Sequence, residues 1–217
     1  MTDPNFFING YHLAIQNADV LFNVATKAAE ENNFGVACSL NILSAEEAIK
    51  AVFLISKHNY PNSEIVGFQE VFRDHKIKHK NLKYFLESSK KHVDGIFEMY
   101  SIFLKVEEFG DFLPERKKKE LKEEFSDIHY HGQRISKLKE NEIVLAEVLN
   151  WLDTANNDKN NGFYVGMIND TWQTPKNFDK AKYEKERNYA MTAITHAKEL
   201  DEIFKAIETF KVTKTLR

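Results

Sequence analysis

The stretch that decides the fold, GVACSLNILSAEEAIKAVFLISK, runs from Gly35 to Lys57. Its apolar residues recur at spacings of three and four, which is the pattern of an α-helix packed into a core. The predicted core positions are Ala37, Leu40, Leu43, Ala45, Val52 and Leu54. A turn cluster, Asn59-Tyr-Pro-Asn-Ser63, follows and marks the end of the helix. The stretch therefore predicts a long core helix.

The same periodicity continues on both sides of this stretch. Upstream, a helix is predicted over about 10–32, with Leu13, Ala14 and Ala18 among its core positions. Downstream, Ser63 is a predicted N-cap for a helix that uses Phe68, Val71 and Phe72. Later helices are predicted over about 82–107, 133–153 and 179–211, with a charged connector at 115–124 and a polar loop at 156–162. Strand-like alternation persists nowhere, so the fold class is all-α.

Composition limits the protein class. The 217 residues are 42% hydrophobic and 29% charged, with eight Gly and four Pro, which predicts a single helical domain over residues 1–217. Cys38 is the only cysteine, so an intramolecular disulfide and zinc sites built on paired cysteines are excluded. We expect a cytoplasmic protein with no membrane segment, because no signal peptide and no sufficiently long apolar run is visible. The net charge of −3 requires any nucleic-acid contact to rest on a local patch.

Such a patch is centred on Arg73-Asp-His-Lys-Ile-Lys-His79. Between residues 73 and 91 only Asp74 and Glu87 oppose the basic side chains, which are Arg73, Lys76, Lys78, Lys80, Lys83, Lys90 and Lys91. The run is either a solvated helical surface or a set of phosphate contacts. Phosphate contacts would give salt-sensitive RNA binding with little dependence on base sequence.

Two histidines in this patch allow a second interpretation. His75 and His79 are four residues apart and share a helix face, as in half of a helical metal site, which Asp74 or Glu47 could extend. The sequence identifies no third ligand, so we expect no metal and no other cofactor. A second pair, His129 and His131, lies in a polar connector and is expected on the surface.

Charged residues also interrupt the core helix. Glu46, Glu47 and Lys50 stand between Ala45 and the apolar run that begins at Ala51. Glu46 and Lys50 are four residues apart, which predicts an exposed ion pair worth about 0.3–0.5 kcal/mol. Alternatively, these charges face a polar partner, since charged groups avoid an apolar core.

An ordered series of motifs carries a family resemblance. In chain order the motifs are Asn17-Ala18-x-x-Leu21 with Ala25 and Ala28; Ala37-x-x-Leu40-x-Ile42-Leu43-x-Ala45-Glu46-Glu47-x-x-Lys50; Phe72-Arg73-Asp74-His75-Lys76-x-Lys78-His79; and Gly162-Phe-Tyr164-Val165 with Trp172 and Pro175. The series resembles the AbiV-type abortive-infection proteins, a bacterial antiphage family of the HEPN superfamily. The resemblance implies a HEPN-like helical bundle with additional C-terminal helices, forming a homodimer that shuts down an infected cell. It would do so either as a ribonuclease or by blocking translation through RNA.

HEPN proteins often cleave RNA without a metal, using an arginine, a following polar residue and a histidine a few positions later. Arg73-Asp74-x4-His79 matches that pattern. Histidine exchanges a proton near neutral pH, and arginine presents a planar set of donors to phosphate oxygens. The predicted catalytic residues are Arg73, Asp74 and His79, with Glu47 orienting them from the second helix. The predicted substrate-binding residues are His75, Lys76, Lys78 and Lys50.

Helix geometry places a condition on this site. Residues six apart are separated by about 240° around a helix, so Arg73 and His79 do not share a face. The arginine could reach round, the helix could end before His79, or the two residues could meet across a dimer axis; the resemblance favours the dimer. The expected partners are RNA and a possible phage-encoded activator or host protein. The alternative function is a non-catalytic helical protein that binds a host or phage protein.

Overall fold

The computed structural model describes residues 5–59, 61, 72, 114, 116, 119, 147, 148, 150–152 and 154–215. Four helices account for most of them. Helix α1 is Phe6–Glu30 and α2 is Phe34–Asn59. Helix α3 comprises the helical residues 147, 148, 150–152 and 154–163, and α4 is Lys180–Thr215. Strands β1 (Gly166–Ile168) and β2 (Thr171–Gln173) and a short 3-10 turn, Pro175–Asn177, lie between α3 and α4.

A tight turn reverses the chain between α1 and α2. Asn32 has a φ of 59°, in the left-handed region that asparagine tolerates better than most residues. The Asn33 and Asn32 amides donate to the carbonyls of Ala28 and Ala29, each at 2.9 Å, which satisfies two carbonyls at the end of α1. The turn therefore ends α1 and directs α2 back along it.

Helix α2 is the centre of the bundle. Of its 26 residues, 17 are buried, so it is covered on nearly every side rather than along one stripe. The Ser44 hydroxyl donates to the Ala18 carbonyl of α1 at 2.7 Å, and the Ser39 hydroxyl lies 2.7 Å from the Lys159 carbonyl of α3. Buried hydroxyls thus join α2 to the helices on two of its sides.

Contacts between the helices show which of them run parallel and which antiparallel. Tyr11, near the start of α1, donates to the Ala197 carbonyl in the middle of α4 at 3.4 Å, and Phe22, farther along α1, lies against Arg187 nearer the start of α4. These helices are therefore antiparallel. Tyr183, near the start of α4, clusters with Ala37 and Cys38 near the start of α2, so α2 and α4 are parallel. Helix α3 runs antiparallel to both, because Gly162 at its end approaches Gly35. The described residues thus form a helical bundle with one small hairpin.

The hairpin has a two-residue turn. Met167 pairs with Trp172, and the turn residues Asn169 and Asp170 have φ values of 48° and 59°. Two consecutive positive φ angles are the mark of a type I′ turn, whose twist matches that of antiparallel strands. Asn and Asp are among the residues that adopt this conformation most readily.

The structure confirms the all-α fold class and corrects several details. The helices predicted at 10–32, 35–57 and 179–211 are present as α1, α2 and α4. The loop predicted at 156–162 is wrong, because these residues are helical and are held by contacts with α2. Leu13 is exposed rather than buried, and Leu40 and Leu43 are only partly buried.

Several predicted elements lie outside the described residues. These are the helix of about 82–107, the charged connector except for residues 116 and 119, and most of the helices expected after Ser63 and at 133–153. Phe72, which is described, is 38% exposed rather than part of the core. Val148 and Leu152, apolar residues within the range of the helix predicted at 133–153, are buried.

Cys38 is completely buried on α2, between α1 and the beginning of α4. Burial, with a further contribution from the negative charge of Glu186, raises the pKa of its thiol to about 12. None of the helices in the described part of the chain combines the length and the apolar character needed to cross a membrane.

Candidate functional site

The central segment of the predicted site lies outside the described residues. It contains Arg73, Asp74, His75, Lys76, Lys78 and His79. The second histidine pair, His129 and His131, lies outside them as well. Glu47 and Lys50 are described, and both project from the second half of α2.

Glu47 and Lys50 form an ion pair one turn apart. The Lys50 ammonium donates to Oε1 of Glu47, and each side chain is 18% exposed. Because the pair is largely buried and yet reaches solvent, its charges are screened less than those of a fully exposed pair. The carboxylate can accept a further donor, and the ammonium can attract an anion, at the surface of the bundle.

Glu46 points in a different direction from Glu47 and is buried. Its Oε1 accepts from Nζ of Lys159 on α3 at 2.9 Å, and the two side chains are only 3% and 8% exposed. The predicted exposed pair between Glu46 and Lys50 is therefore wrong. Adjacent helix residues differ by about 100° in direction, so Glu46 faces α3 while Glu47 lies beside Lys50.

Sequence reasoning missed a second charged group between α3 and α4. Nζ of Lys182 lies 2.5 Å from Oδ2 of Asp158 and 3.1 Å from Oε1 of Glu186. Glu186 is fully buried, and neither of its oxygens has a well-aligned hydrogen bond. Burial raises the pKa of Glu186, and the positive charge of Lys182 opposes that rise. The spacing of Lys182 and Glu186 was visible in the sequence, but it is equally typical of an exposed pair.

The comparison with protein families identifies the chain. Residues 6–195 match the HEPN-type family model described as AbiV. The chain belongs to the AbiV family. The match begins at the first residue of α1 and ends within α4, so it includes Glu46, Glu47, Lys50 and the segment from Arg73 to His79. No curated protein and no solved structure matches the chain.

In this AbiV-family bundle, His196 is a buried histidine that the sequence did not single out. It lies on α4 and is nearly inaccessible, and its Nδ1 has no hydrogen-bond partner. Burial lowers the pKa of His196 to about 4, so the ring is neutral at pH 7. A neutral, enclosed imidazole contributes to packing, and it is inaccessible to a large substrate.

The hairpin of the AbiV chain carries exposed apolar side chains. Tyr164, Val165, Met167 and Trp172 are each between 61% and 68% exposed. Met167 and Trp172 are directly paired across the strands and therefore share one face of the hairpin. Tyr164, Val165 and Trp172 belong to the motifs that carry the family resemblance, and the structure shows that each is exposed.

The histidines of the candidate metal site, His75 and His79, lie outside the described part of the AbiV chain. Among those residues, no three His, Cys, Asp or Glu side chains are arranged to hold a metal ion. Glu47, considered as a third ligand beside His75 and His79, forms an ion pair with Lys50.

Proposed function

We propose that this AbiV-family chain is an abortive-infection effector that cleaves RNA without a metal ion, as a homodimer. The observation that carries the proposal is the pattern Arg73-Asp74-x4-His79 in a chain of HEPN type. We further propose that it acts in the cytoplasm, where a phage-encoded or host protein triggers it. A lone, buried thiol is compatible with that reducing compartment.

The proposed reaction is the attack of an RNA 2′-hydroxyl on the adjacent phosphate. The 2′-oxygen gives up its proton and bonds to phosphorus, the bond from phosphorus to the 5′-oxygen breaks, and the leaving oxygen gains a proton. His79 exchanges these protons, because imidazole titrates near neutral pH. Arg73 binds the phosphate oxygens and stabilises the added negative charge.

The pair on α2 supports this site. Glu47 reaches the surface of the bundle and is available to orient Arg73 or His79, with Asp74 as the polar residue next to the arginine. Lys50 partly neutralises Glu47 and adds positive potential for the RNA backbone. His75, Lys76 and Lys78 supply the remaining substrate contacts.

The proposed active site is shared between two subunits. On a continuous helix, Arg73 and His79 would point about 120° apart, so they would not share a face of that helix. A two-fold axis brings Arg73 of one subunit to His79 of the other. Two equivalent sites would then form in each dimer.

An RNA digest with purified protein tests the proposal. We expect the wild-type chain to cut single-stranded RNA at neutral pH in the presence of EDTA, with or without a trigger protein from the infecting phage. Arg73→Ala and His79→Ala should each reduce the rate by at least about 100-fold, the typical contribution of general acid–base catalysis. Lys176→Ala, in the exposed turn after the hairpin, is the matched control and should cut normally.

Two results would contradict the proposal. Intact RNA in every wild-type reaction, with the trigger included, would exclude the enzymatic function. Loss of cleavage on adding EDTA, with recovery on adding a divalent cation, would replace the metal-free site with a metal site at His75 and His79.

A second candidate function rests on the hairpin. Exposed apolar side chains at Tyr164, Val165, Met167 and Trp172 favour a non-catalytic protein that captures a host or phage protein. Trp172→Ser with Met167→Ser should then abolish protection of cells against phage while leaving any RNA cleavage in vitro unchanged. Full protection by that double variant would exclude this role for the hairpin.

A further inference from the structure

The outward side of α1 carries an apolar stripe. Phe6, Leu13, Val20 and Val24 are 46–67% exposed. Their spacings are seven, seven and four residues, so at about 100° per residue they lie within about 40° of one another around the helix. The stripe therefore runs along most of α1 as a single line, on a different side from the buried residues Tyr11, Ala14, Ala18 and Ala25.

This side of α1 also lacks charge. Between Phe6 and Val24 the only Asp, Glu, Lys or Arg is Asp19, and both of its oxygens accept from Nζ of Lys198 on α4 at 2.8 Å. The other exposed positions are Asn9, His12, Gln16, Asn17 and Asn23. A helix face that only contacts water usually carries lysine and glutamate.

Helix α4 in the same bundle provides the contrast. Its exposed positions include Lys180, Glu184, Lys185, Lys198 and Glu202, as expected for a solvated helix. Among the α4 side chains that the structure describes, Met191 is the one exposed apolar residue of similar size. The uncharged stripe on α1 is thus a property of that helix and not of the whole surface.

We propose that a second copy of this chain docks on the stripe, pairing α1 with α1 across a two-fold axis. In a two-fold contact the same surface faces itself, so like charges on it would repel. The stripe from Phe6 to Val24 carries no Asp, Glu, Lys or Arg, which suits self-pairing. Seven-residue spacing is the repeat with which two helices pack side by side. Asn17 lies on the same line and supplies a polar residue within the seam, which fixes the alignment of paired helices in coiled coils.

The lack of charge on the stripe argues against two other occupants, RNA and a strongly charged protein. RNA needs cationic contacts, and the stripe offers none between Phe6 and Val24. A strongly charged protein would meet no opposite charge there. The inference goes beyond the proposed function, because it names an interface whose existence does not depend on RNA cleavage.

Light scattering on the full-length chain tests the interface. Wild type should have twice the monomer mass of 25.3 kDa at micromolar concentration. Leu13→Glu/Val20→Glu and Leu13→Lys/Val20→Lys should each weaken the dimer by at least about 100-fold, because like charges then face each other. Met191→Glu on α4 is the matched control and should remain dimeric.

Mixing the two charged variants separates repulsion from misfolding. An equimolar mixture should recover the dimer, since glutamates on one copy then face lysines on the other. A monomeric wild type, or variants that stay dimeric, would overturn the interface. Failure of the mixture to associate would overturn it too, and so would a dimer that dissociates with Trp172→Glu but not with the α1 variants.

These experiments distinguish failure of the α1 interface from failure of the proposed nuclease function. Monomeric α1 variants that still cut RNA would leave the α1 interface standing and exclude the shared active site. A wild-type dimer that depends on α1 but cuts no RNA would support the interface and exclude the nuclease.

Discussion

Lys159 and Glu46 form an ion pair with both partners buried, and such a pair is costly to break from one side only. We expect Lys159→Met to lower the free energy of unfolding by about 3–5 kcal/mol, because the buried carboxylate of Glu46 loses the cation that lies 2.9 Å from it. The double variant Glu46→Leu/Lys159→Met should recover most of that loss. Urea denaturation followed by circular dichroism measures both.

The exposed pair of Lys198 and Asp19 is the matched control for the buried pair. Both side chains are more than 40% exposed, so Lys198→Met should change the unfolding free energy by less than about 1 kcal/mol. Equal losses for Lys159→Met and Lys198→Met would show that burial does not govern the strength of these pairs.

His196 predicts a dependence of stability on pH. The pKa of His196 is about 4 in the folded chain and near 6.5 in the unfolded chain. At pH values between these two, the imidazole is protonated in the unfolded chain and neutral in the folded chain. The free energy of unfolding is therefore not reduced by His196 above about pH 6.5. As the pH falls toward 4, protonation of His196 in the unfolded chain lowers the free energy of unfolding by up to about 3 kcal/mol. Urea unfolding at intervals between pH 7 and pH 4 measures the slope.

Two variants isolate the contribution of His196. His196→Leu should flatten the slope over this range, because no imidazole remains to be protonated on unfolding. His12→Gln, which removes an exposed histidine of α1, should leave the slope nearly as in wild type. An unchanged slope in His196→Leu would assign the pH dependence to other groups.

At the residue scale, helix spacing allowed two alternatives for Lys50 and could not choose between them. Glu46 lies four residues before Lys50 and Glu47 three, and both spacings permit an ion pair. The choice depends on the neighbours of α2: Glu46 faces α3, where Lys159 lies 113 positions away in sequence. A contact over that separation leaves no local pattern in the sequence.

At the element scale, close backbone contacts join α2 to α3 and to the turn after the hairpin. A Cβ on Gly162 would stand 2.2 Å from Oγ of Ser39 and 2.3 Å from the Gly35 carbonyl oxygen. A Cβ on Gly35 would stand 2.4 Å from the Pro175 carbonyl oxygen. These distances are too short for any side chain larger than hydrogen, so both glycines are required by packing.

Alanine substitutions test this packing. Gly162→Ala and Gly35→Ala should each destabilise the fold by about 1–3 kcal/mol or more, because the backbone must move apart. Gly166→Ala is the matched control: its Cβ would meet nothing nearer than 3.9 Å. Thermal unfolding measures the loss of stability. An equal loss in Gly166→Ala, Gly35→Ala and Gly162→Ala would contradict the close backbone contacts at Gly35 and Gly162.

The polar run at 156–162 shows why element boundaries are harder to predict than elements. Asparagine favours turns in isolation, so the run was predicted as a loop. In the structure Ser39 contacts the Lys159 carbonyl, and Lys159 in turn reaches Glu46. Tertiary contacts outweigh the local preference. The apolar periodicity of α1, α2 and α4 was strong enough to predict those helices correctly.

At the scale of the whole molecule, a net charge of −3 makes any RNA binding a local property. If Lys76 and Lys78 each contact a phosphate, Lys76→Gln/Lys78→Gln should reduce the slope of log binding constant against log salt concentration by about 1.4 for single-stranded RNA. Fluorescence anisotropy at several salt concentrations measures that slope. Lys176→Gln/Lys180→Gln, at exposed positions after the hairpin, is the control and should leave the slope unchanged. An equal reduction of the slope in both double variants would indicate that RNA binds over the whole surface and not at a local patch.

The whole fold was more predictable than the surfaces it presents. Periodicity predicted the all-α class, and the ordered motifs predicted the family to which the chain belongs. Periodicity placed Leu13 in the core because it counts apolar residues without knowing which side of α1 meets a neighbour. The sequence predicts Arg73 and His79 as one motif, and their meeting across subunits stays a prediction.

The burial of Cys38 has a practical consequence for experiments on this protein. With one thiol, fully enclosed and protonated, the native chain should resist maleimide and disulfide reagents at neutral pH. Cys38 then becomes accessible only when α2 separates from α1 and α4. The rate at which it is labelled therefore measures how often the bundle opens. A cysteine introduced at an exposed position such as Trp172 would be the only rapidly reactive thiol, and it would carry a spectroscopic probe without removal of the native one.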